Sequence, residues 1–76
     1  MTWNEKNNKL VKEFEFKDFK EALAFVVQVG ILAEKMNHHP ELYNVYNKVR
    51  IELTTHDAGN KITEKDKKLA KKIDEL

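Results

Sequence analysis

The sequence predicts an α+β fold in which a four-stranded antiparallel sheet carries two helices on one face, in the order β-β-α-β-β-α. Two pairs of short segments alternate between apolar and polar residues, and each pair is followed by a segment with helical spacing of apolar residues. The length supports this, because 76 residues make one small domain, which we assign to residues 1–76.

The first predicted hairpin covers residues 3–16. A short strand over residues 3–6 is followed by Asn7-Asn8, a pair that favours a tight turn. The second strand, over residues 10–16, alternates in character and directs Phe14 and Phe16 toward the interior.

A long helix is predicted from Phe19 to about Met36. Asp18 with Glu21 three residues later has the spacing of a capping box, and Pro40 disfavours helical backbone just before it, so the helix should end near residue 37 or 38. One apolar stripe is formed by Phe19, Leu23, Val26, Gly30 and Ala33, and further apolar residues widen it, namely Phe25, Val29, Ile31, Leu32 and Met36. This arc exceeds one buried face, so we expect a helix buried on two sides or in contact with another subunit, as in a homodimer or homotetramer.

The second hairpin is predicted over residues 43–46 and 49–55, with Asn47-Lys48 as its turn. A loop follows at residues 58–60. Thr63 with Asp66 three residues on then indicates the start of the last helix. The narrow apolar stripe of this lysine-rich helix consists of Leu69, Ala70, Ile73 and Leu76.

Composition excludes several classes of function. Lys and Arg number 14 and Asp and Glu 13, so a nucleic-acid binder that relies on a general positive field is not expected. There is no Cys, which excludes disulfides and thiol nucleophiles. The longest apolar stretch, residues 22–27, is far shorter than the ~20 residues of a membrane span. Residues 1–5 show no secretory leader, so we expect a cytoplasmic protein that binds neither membrane nor nucleic acid.

The three histidines are the residues best suited to chemistry. His38 and His39 follow the long helix and His56 ends the last predicted strand, so all three can lie at one end of the sheet. Imidazole, with an ordinary pKa of about 6.5, transfers protons near neutral pH. Surface histidines without a function are the common alternative. A zinc site is a third reading, although adjacent His side chains usually diverge and no i, i+4 pair is present.

Nearby carboxylates have structural readings as well. Glu34, four residues before His38, can simply face solvent at the end of its helix. Asp66 stands at the third position of the last helix, where a carboxylate satisfies free backbone N–H groups. The sequence spacing alone does not choose between these readings and a role beside an imidazole.

Residues 34–66 complete a longer pattern, and on it the chain resembles the pterin-4a-carbinolamine dehydratases. An acidic residue precedes a His-His-Pro triplet, an aromatic residue, a histidine and an aspartate at that family's intervals. The residues that fill the pattern are Glu34, His38, His39, Pro40, Tyr46, His56 and Asp66. The segments at residues 16–19, 33–36, 44–49 and 54–57 are similar to the family too.

The resemblance implies the same sheet-and-helix architecture and a reaction. A 4a-hydroxytetrahydropterin loses water to give the quinonoid dihydropterin, during recycling of tetrahydrobiopterin, without a metal or cofactor. By position, the resemblance implies that His38 and His39 are acids and His56 the base. The residues implied to bind the pterin or to orient the imidazoles are Glu34, Asn37, Pro40, Thr55, Asp57, Ala58 and Asp66.

Three departures from the family are visible. Many relatives carry a further helix before the first strand, which this sequence is expected to lack, and some carry Cys at the position of Ala58 or Trp at that of Leu42. Some relatives also bind a homeodomain transcription factor, so the alternative function is a non-catalytic interaction module on the same fold. The complete histidine set favours the enzyme, because a scaffold does not need it.

Overall fold

A computed structural model describes residues 3–76 and has the predicted element order. The elements are β1 (Asn4–Lys6), β2 (Lys9–Glu15), α1 (Phe19–Lys35), β3 (Glu41–Val45), β4 (Lys48–Leu53) and α2 (Glu64–Asp74). The strands form one antiparallel sheet in the order β1-β2-β4-β3, which confirms the α+β prediction. Met1 and Thr2, part of the segment searched for a leader, lie outside the described residues.

The first hairpin is confirmed, with small shifts in its bounds. Asn7 and Asn8 both have positive φ, of 53° and 63°. A two-residue hairpin turn needs these angles if its twist is to match that of the flanking strands. Asn tolerates this conformation better than most residues. β1 begins at Asn4 instead of residue 3, and β2 covers residues 9–15 instead of 10–16.

The turn of the second hairpin differs from the prediction. Val45 pairs with Lys48, so the turn residues are Tyr46 and Asn47 rather than Asn47-Lys48. The reason is tertiary: the Phe16 N–H donates to the Asn47 carbonyl at 2.8 Å, and the Asn47 side-chain amide donates to the Phe16 carbonyl at 3.0 Å. These bonds continue the pairing of β4 with β2, in which Lys48 lies opposite Glu15, so Lys48 belongs to the strand and not to the turn. β3 accordingly covers residues 41–45 and β4 residues 48–53.

The core lies between the inner face of the sheet and the two helices. Phe14 and Phe16 pack against it, as predicted, with ring centroids 4.8 Å and 4.9 Å from that of Phe25. Leu76 was predicted to belong to the α2 stripe but is 54% exposed. The buried apolar residues of the described chain are Leu10, Ala22, Val29, Ala33, Val49, Ile51, Leu53, Leu69, Ala70 and Ile73.

Helix α1 contacts the core through one face only. Its buried residues are Ala22, Val29 and Ala33, and it ends at Lys35, with Met36 as its cap. Phe19 and Leu23, which the spacing puts on one apolar stripe with Ala33, are about half exposed, so the single chain does not bury the helix on two sides. The exposed apolar stripe, which keeps i, i+4 spacing, consists of Phe19, Leu23, Val27 and Ile31, with exposed fractions of 46%, 45%, 53% and 56%.

No helix within residues 3–76 is both long and apolar enough to cross a bilayer. The cytoplasmic location stays a prediction.

Candidate active site

The end of α1 positions the histidine pair. Asn37 takes a positive φ of 51°, which reverses the chain directly after the helix. The backbone N–H of His38 then donates to the Ala33 carbonyl at 3.0 Å, and that of Asn37 donates to Glu34 at 3.1 Å. These two bonds make a Schellman motif, in which Asn replaces the usual glycine. Asn37 therefore has a structural function, and His38 and His39 leave the helix in a fixed direction.

The connection from β4 to α2 positions His56. A single 3-10 turn covers His56–Ala58, and Gly59 follows it with φ of 78°. The Thr55 backbone then pairs with Lys61, since its N–H donates to the Lys61 carbonyl at 3.0 Å. This closed loop brings the chain back to the start of α2 beside the histidines.

A cleft of ≈ 180 Å³ lies where these segments meet, lined by Asn37, His38, His39, Thr54, Thr55, His56, Asp57 and Lys65. It brings together the three predicted catalytic histidines with Asn37, Thr55 and Asp57. Pro40 and Ala58 are not among the lining residues.

Glu34 and Asp66 do not line the cleft but lie behind its imidazoles. His38 Nε2 and Asp66 Oδ1 are 2.5 Å apart, and His39 Nε2 and Glu34 Oε1 are 2.8 Å apart. The two pairs differ in burial. The His38 side chain is 10% exposed and that of Asp66 0%, whereas His39 and Glu34 are 62% and 78% exposed. Since exposed ion pairs contribute little, only His38 is firmly held.

Asp66 is charged in the folded protein. Burial acts to raise the pKa of Asp66, but hydrogen bonds from His38, from the Thr63 backbone N–H at 2.8 Å and from the Thr55 hydroxyl at 2.7 Å outweigh it and lower the pKa below its ordinary value. An ionised carboxylate only accepts hydrogen bonds. The proton between the two side chains therefore belongs to Nε2 of His38, and Nδ1 has no hydrogen-bond partner among residues 3–76.

His56 is exposed and less constrained than His38. It lies close enough to the edge strand β3 to affect Glu41. Hydrogen bonds from Lys9 and Tyr43 lower the pKa of Glu41, and His56 adds a smaller electrostatic effect in the same direction. Because His56 is exposed and lines the cleft, it can contact a ligand there.

The zinc alternative gains no support from this geometry. Across residues 3–76, no three His, Cys, Asp or Glu side chains are placed to hold a metal ion together. His38 and His39 instead each direct Nε2 to a separate carboxylate.

Two cleft residues were missed by sequence reasoning. Thr54 donates its hydroxyl to the Asn8 carbonyl at 3.1 Å, which ties the first hairpin turn to the rim. Lys65 lies in the first turn of α2, and the only signal for it was its position next to Asp66. Because Lys65 is one of several lysines in this helix, the local sequence does not distinguish it from the others.

The charge on Asp66 predicts a pH dependence of stability. Its folded pKa is lowered, so it stabilises the fold above the ordinary Asp pKa of about 3.9, and this contribution is lost as the pH falls through the folded value. We expect the free energy of unfolding to fall below about pH 4, and to fall less in Asp66→Asn. Urea unfolding followed by circular dichroism at a series of pH values measures both slopes. Equal slopes in the two proteins would contradict this assignment of charge.

Comparison with known proteins gives consistent matches over nearly the whole chain. The model of the family described as pterin 4 alpha carbinolamine dehydratase matches residues 1–76. A protein of Sulfurisphaera tokodaii named "Putative pterin-4-alpha-carbinolamine dehydratase" is 55% identical over 74 residues, covering 97% of this chain and 78% of that protein. A protein of Solibacter usitatus with the same name is 53% identical over 74 residues, covering 97% and 77%.

Solved structures agree in fold. The crystal structure of a transcriptional coactivator/pterin dehydratase from Brucella melitensis superposes with a TM-score of 0.87 at 40% identity, covering 95% of this chain and 78% of that one. A pterin dehydratase-like protein identified as a RuBisCO assembly factor in the alpha-carboxysome superposes with a TM-score of 0.82, covering 97% and 87%. It is 23% identical, so this likeness concerns the fold alone.

Proposed function

Because the chain belongs to the pterin-4-alpha-carbinolamine dehydratase family, we propose that it removes water from a 4a-hydroxytetrahydropterin to give the quinonoid dihydropterin. The observation that carries this proposal is the buried His38–Asp66 pair on the wall of a cleft that also contains His39 and His56. Recycling of tetrahydrobiopterin is the proposed physiological setting.

The reaction needs two proton transfers. The bond from C4a to the hydroxyl oxygen breaks as an acid protonates that oxygen, and a base takes the proton of the adjacent ring nitrogen, so that a C=N bond forms and water leaves. Histidines contribute to such steps as general acids and bases. In the proposed mechanism His38 and His39 are the acids and His56 the base.

The cleft suits the edge of a flat, polar ring. Its ≈ 180 Å³ is below the roughly 300–1,000 Å³ of typical ligand pockets, so part of the pterin would remain outside. The lining offers both hydrogen-bond donors and hydrogen-bond acceptors, and it includes the oppositely charged side chains of Asp57 and Lys65. Asn37, Thr55, Asp57 and the further predicted binding residues Pro40 and Ala58 remain proposals for pterin contact.

The direct test is a stopped-flow assay with synthetic 4a-hydroxytetrahydropterin. We expect the protein to accelerate dehydration above the uncatalysed rate, in proportion to its concentration. Lys20→Ala, an exposed change in the first turn of α1, is the matched control and should keep full activity. A rate equal to that without protein would reject the enzyme.

The alternative is a non-catalytic interaction module. The exposed apolar stripe on α1 favours it as a second candidate, and the name of the Brucella melitensis protein includes a coactivator role. A module of this kind would not accelerate dehydration in the stopped-flow assay. Substitutions in the exposed apolar stripe would weaken its binding to a partner protein.

Metal removal separates the dehydratase from a zinc hydrolase. The proposed proton transfers need no Lewis acid, and the chain has no Cys and no i, i+4 His pair. We expect turnover to be unchanged after exhaustive treatment with a chelator and dialysis. Loss of turnover, with recovery when zinc is added back, would overturn the metal-free mechanism.

The α1 stripe leads to a prediction about assembly. Burial of apolar surface contributes about 25 cal/mol per Å², which matters for a domain this small, so we expect a homodimer or larger homo-oligomer. Light scattering should give a mass at least twice 9.0 kDa. Ile31→Lys and Leu23→Lys should shift the mass toward the monomer.

Gln28→Lys adds the same charge at an exposed polar position of α1 and is the control. A wild-type mass near 9.0 kDa at about tens of micromolar protein would refute the assembly. The proposed site residues come from one chain, so a dissociated variant that remains folded should still bind substrate.

A further inference from the structure

A line of hydroxyl groups extends from the N-terminus of α2 to the back of His38. The Thr63 hydroxyl accepts from the Lys65 backbone N–H at 3.3 Å, as a helix N-cap does. It lies 2.7 Å from the Thr55 hydroxyl, which in turn lies 2.7 Å from Asp66 Oδ2. The other oxygen of Asp66 meets His38 Nε2.

The direction of every bond in this line follows from counting protons. Ionised Asp66 has no proton to give, so the single hydroxyl proton of Thr55 must point to it. Thr55 can then only accept from Thr63, and the Thr63 hydroxyl must donate. The donated hydrogens therefore all point the same way, from the helix N-terminus through both threonines toward the carboxylate.

We propose that Thr55 and Thr63 are positioning residues, which hold the Asp66 carboxylate so that it fixes both the orientation and the Nε2–H tautomer of His38. This inference rests on the proposed dehydratase function for its catalytic consequence but not for its geometry. Asp66 then has two functions. It caps the N-terminus of α2 as part of the capping box, and it orients the His38 imidazole.

The consequence for chemistry concerns Nδ1 of His38. With Nε2 committed to Asp66, Nδ1 is the nitrogen left to exchange a proton with a molecule in the cleft. A neutral His38 accepts there, and a protonated one donates. Orientation by an outer hydrogen-bond partner matters because a misplacement of about 1 Å can cost about a hundredfold in rate.

This assignment differs from the reading of Thr55 as a substrate contact. Thr55 is buried, with 6% of its surface exposed, and its only hydroxyl proton is used inside the protein. With its proton given to Asp66 and one lone pair used by Thr63, the hydroxyl has no hydrogen left to donate to a substrate. Loss of the hydroxyl should therefore change kcat and leave KM near its wild-type value.

The first test needs no variant and no substrate. Nitrogen-15 NMR of histidine-labelled protein at about pH 8 reports which ring nitrogen carries the proton, and His38→Gln assigns the His38 signals. We expect the Nε2–H tautomer for His38. A predominant Nδ1–H tautomer would overturn the proposal whether or not the protein is a dehydratase.

The second test compares Thr55→Val, which removes the hydroxyl at nearly constant shape, with Thr55→Ser, which keeps it. Loss of a donor to the charged form should raise the pKa of Asp66 in Thr55→Val, measured by carbon-13 NMR of the carboxyl, and leave it near wild type in Thr55→Ser. The other titratable groups of the cleft, His39, His56, Asp57 and Lys65, make no hydrogen bond to Asp66 within residues 3–76 and are the same in both variants.

In turnover, we expect Thr55→Val to lower kcat by about tenfold to a hundredfold with KM unchanged, and Thr55→Ser to recover most of it. A raised KM with unchanged kcat would indicate that Thr55 contacts the substrate, and it would overturn the proposal. If wild type shows no dehydration, the tautomer and the carboxyl titration still decide the positioning question, so the two failures are distinguishable.

Discussion

Replacement of His38 with alanine is expected to lower dehydration turnover by about a hundredfold to ten-thousandfold, the usual loss of one proton-transfer group. His38 is the best held of the three histidines, since it is 10% exposed and is bonded to buried Asp66. The single-turnover rate with 4a-hydroxytetrahydropterin, compared with wild type at equal folded concentration, measures the loss.

Two further variants separate proton transfer from packing. His38→Gln fills much of the same space and can still donate to Asp66, so an equal loss of rate identifies the missing function as proton transfer. His56→Ala changes an exposed residue and should also lose most activity while its thermal unfolding stays close to wild type. Wild-type turnover in His38→Ala or in His56→Ala would contradict the assignment of His38 as an acid and His56 as the base.

Substitution of Asp66 with asparagine is expected to lower turnover by up to about ten-thousandfold, the scale seen when the same change is made beside a catalytic histidine in a serine protease. Two donors, the Thr55 hydroxyl and the Thr63 N–H, will hold the amide oxygen. The amide NH₂ then faces His38 Nε2, which must accept. The imidazole proton moves to Nδ1, and the carboxylate charge that stabilises protonated His38, the form in which it acts as an acid, is lost.

Asp74→Asn is the matched control, because Asp74 is a carboxylate of the same helix that pairs with Lys12 at 2.8 Å, away from the cleft. It should keep wild-type turnover. Nitrogen-15 NMR of Asp66→Asn should show His38 in the Nδ1–H tautomer. An unchanged tautomer together with unchanged turnover would remove Asp66 from the mechanism.

Much of the fold could be predicted from the sequence because its signals are local. Alternation along β2 directed Phe14 and Phe16 inward, and Asn7-Asn8 marked a turn whose positive φ angles those residues accept. Thr63 and Asp66 marked the start of α2 through bonds that span three residues. The histidine pattern identified the family, and six of the ten predicted site residues line one cleft.

Contacts between distant parts of the chain decided the rest. Periodicity shows that α1 is apolar around most of its circumference but not which part meets the sheet. It left open whether the helix is buried on two sides or meets another subunit, and in the single chain Phe19 and Leu23 are about half exposed. The turn at Tyr46-Asn47 depends on the pairing of Lys48 with Glu15 in the distant strand β2.

The candidate site, like the fold, could be predicted from the sequence only in part. The sequence alone determined which residue types are present for proton transfer, since the histidines and their carboxylates stand at spacings that can be read directly. Only the tertiary structure decided that Asp66 holds His38, 28 residues away, and that the Thr55 hydroxyl belongs to the protein interior. The physical reason is that hydrogen-bond partners this far apart in sequence meet only where both helices pack on one sheet, and no local pattern records that packing.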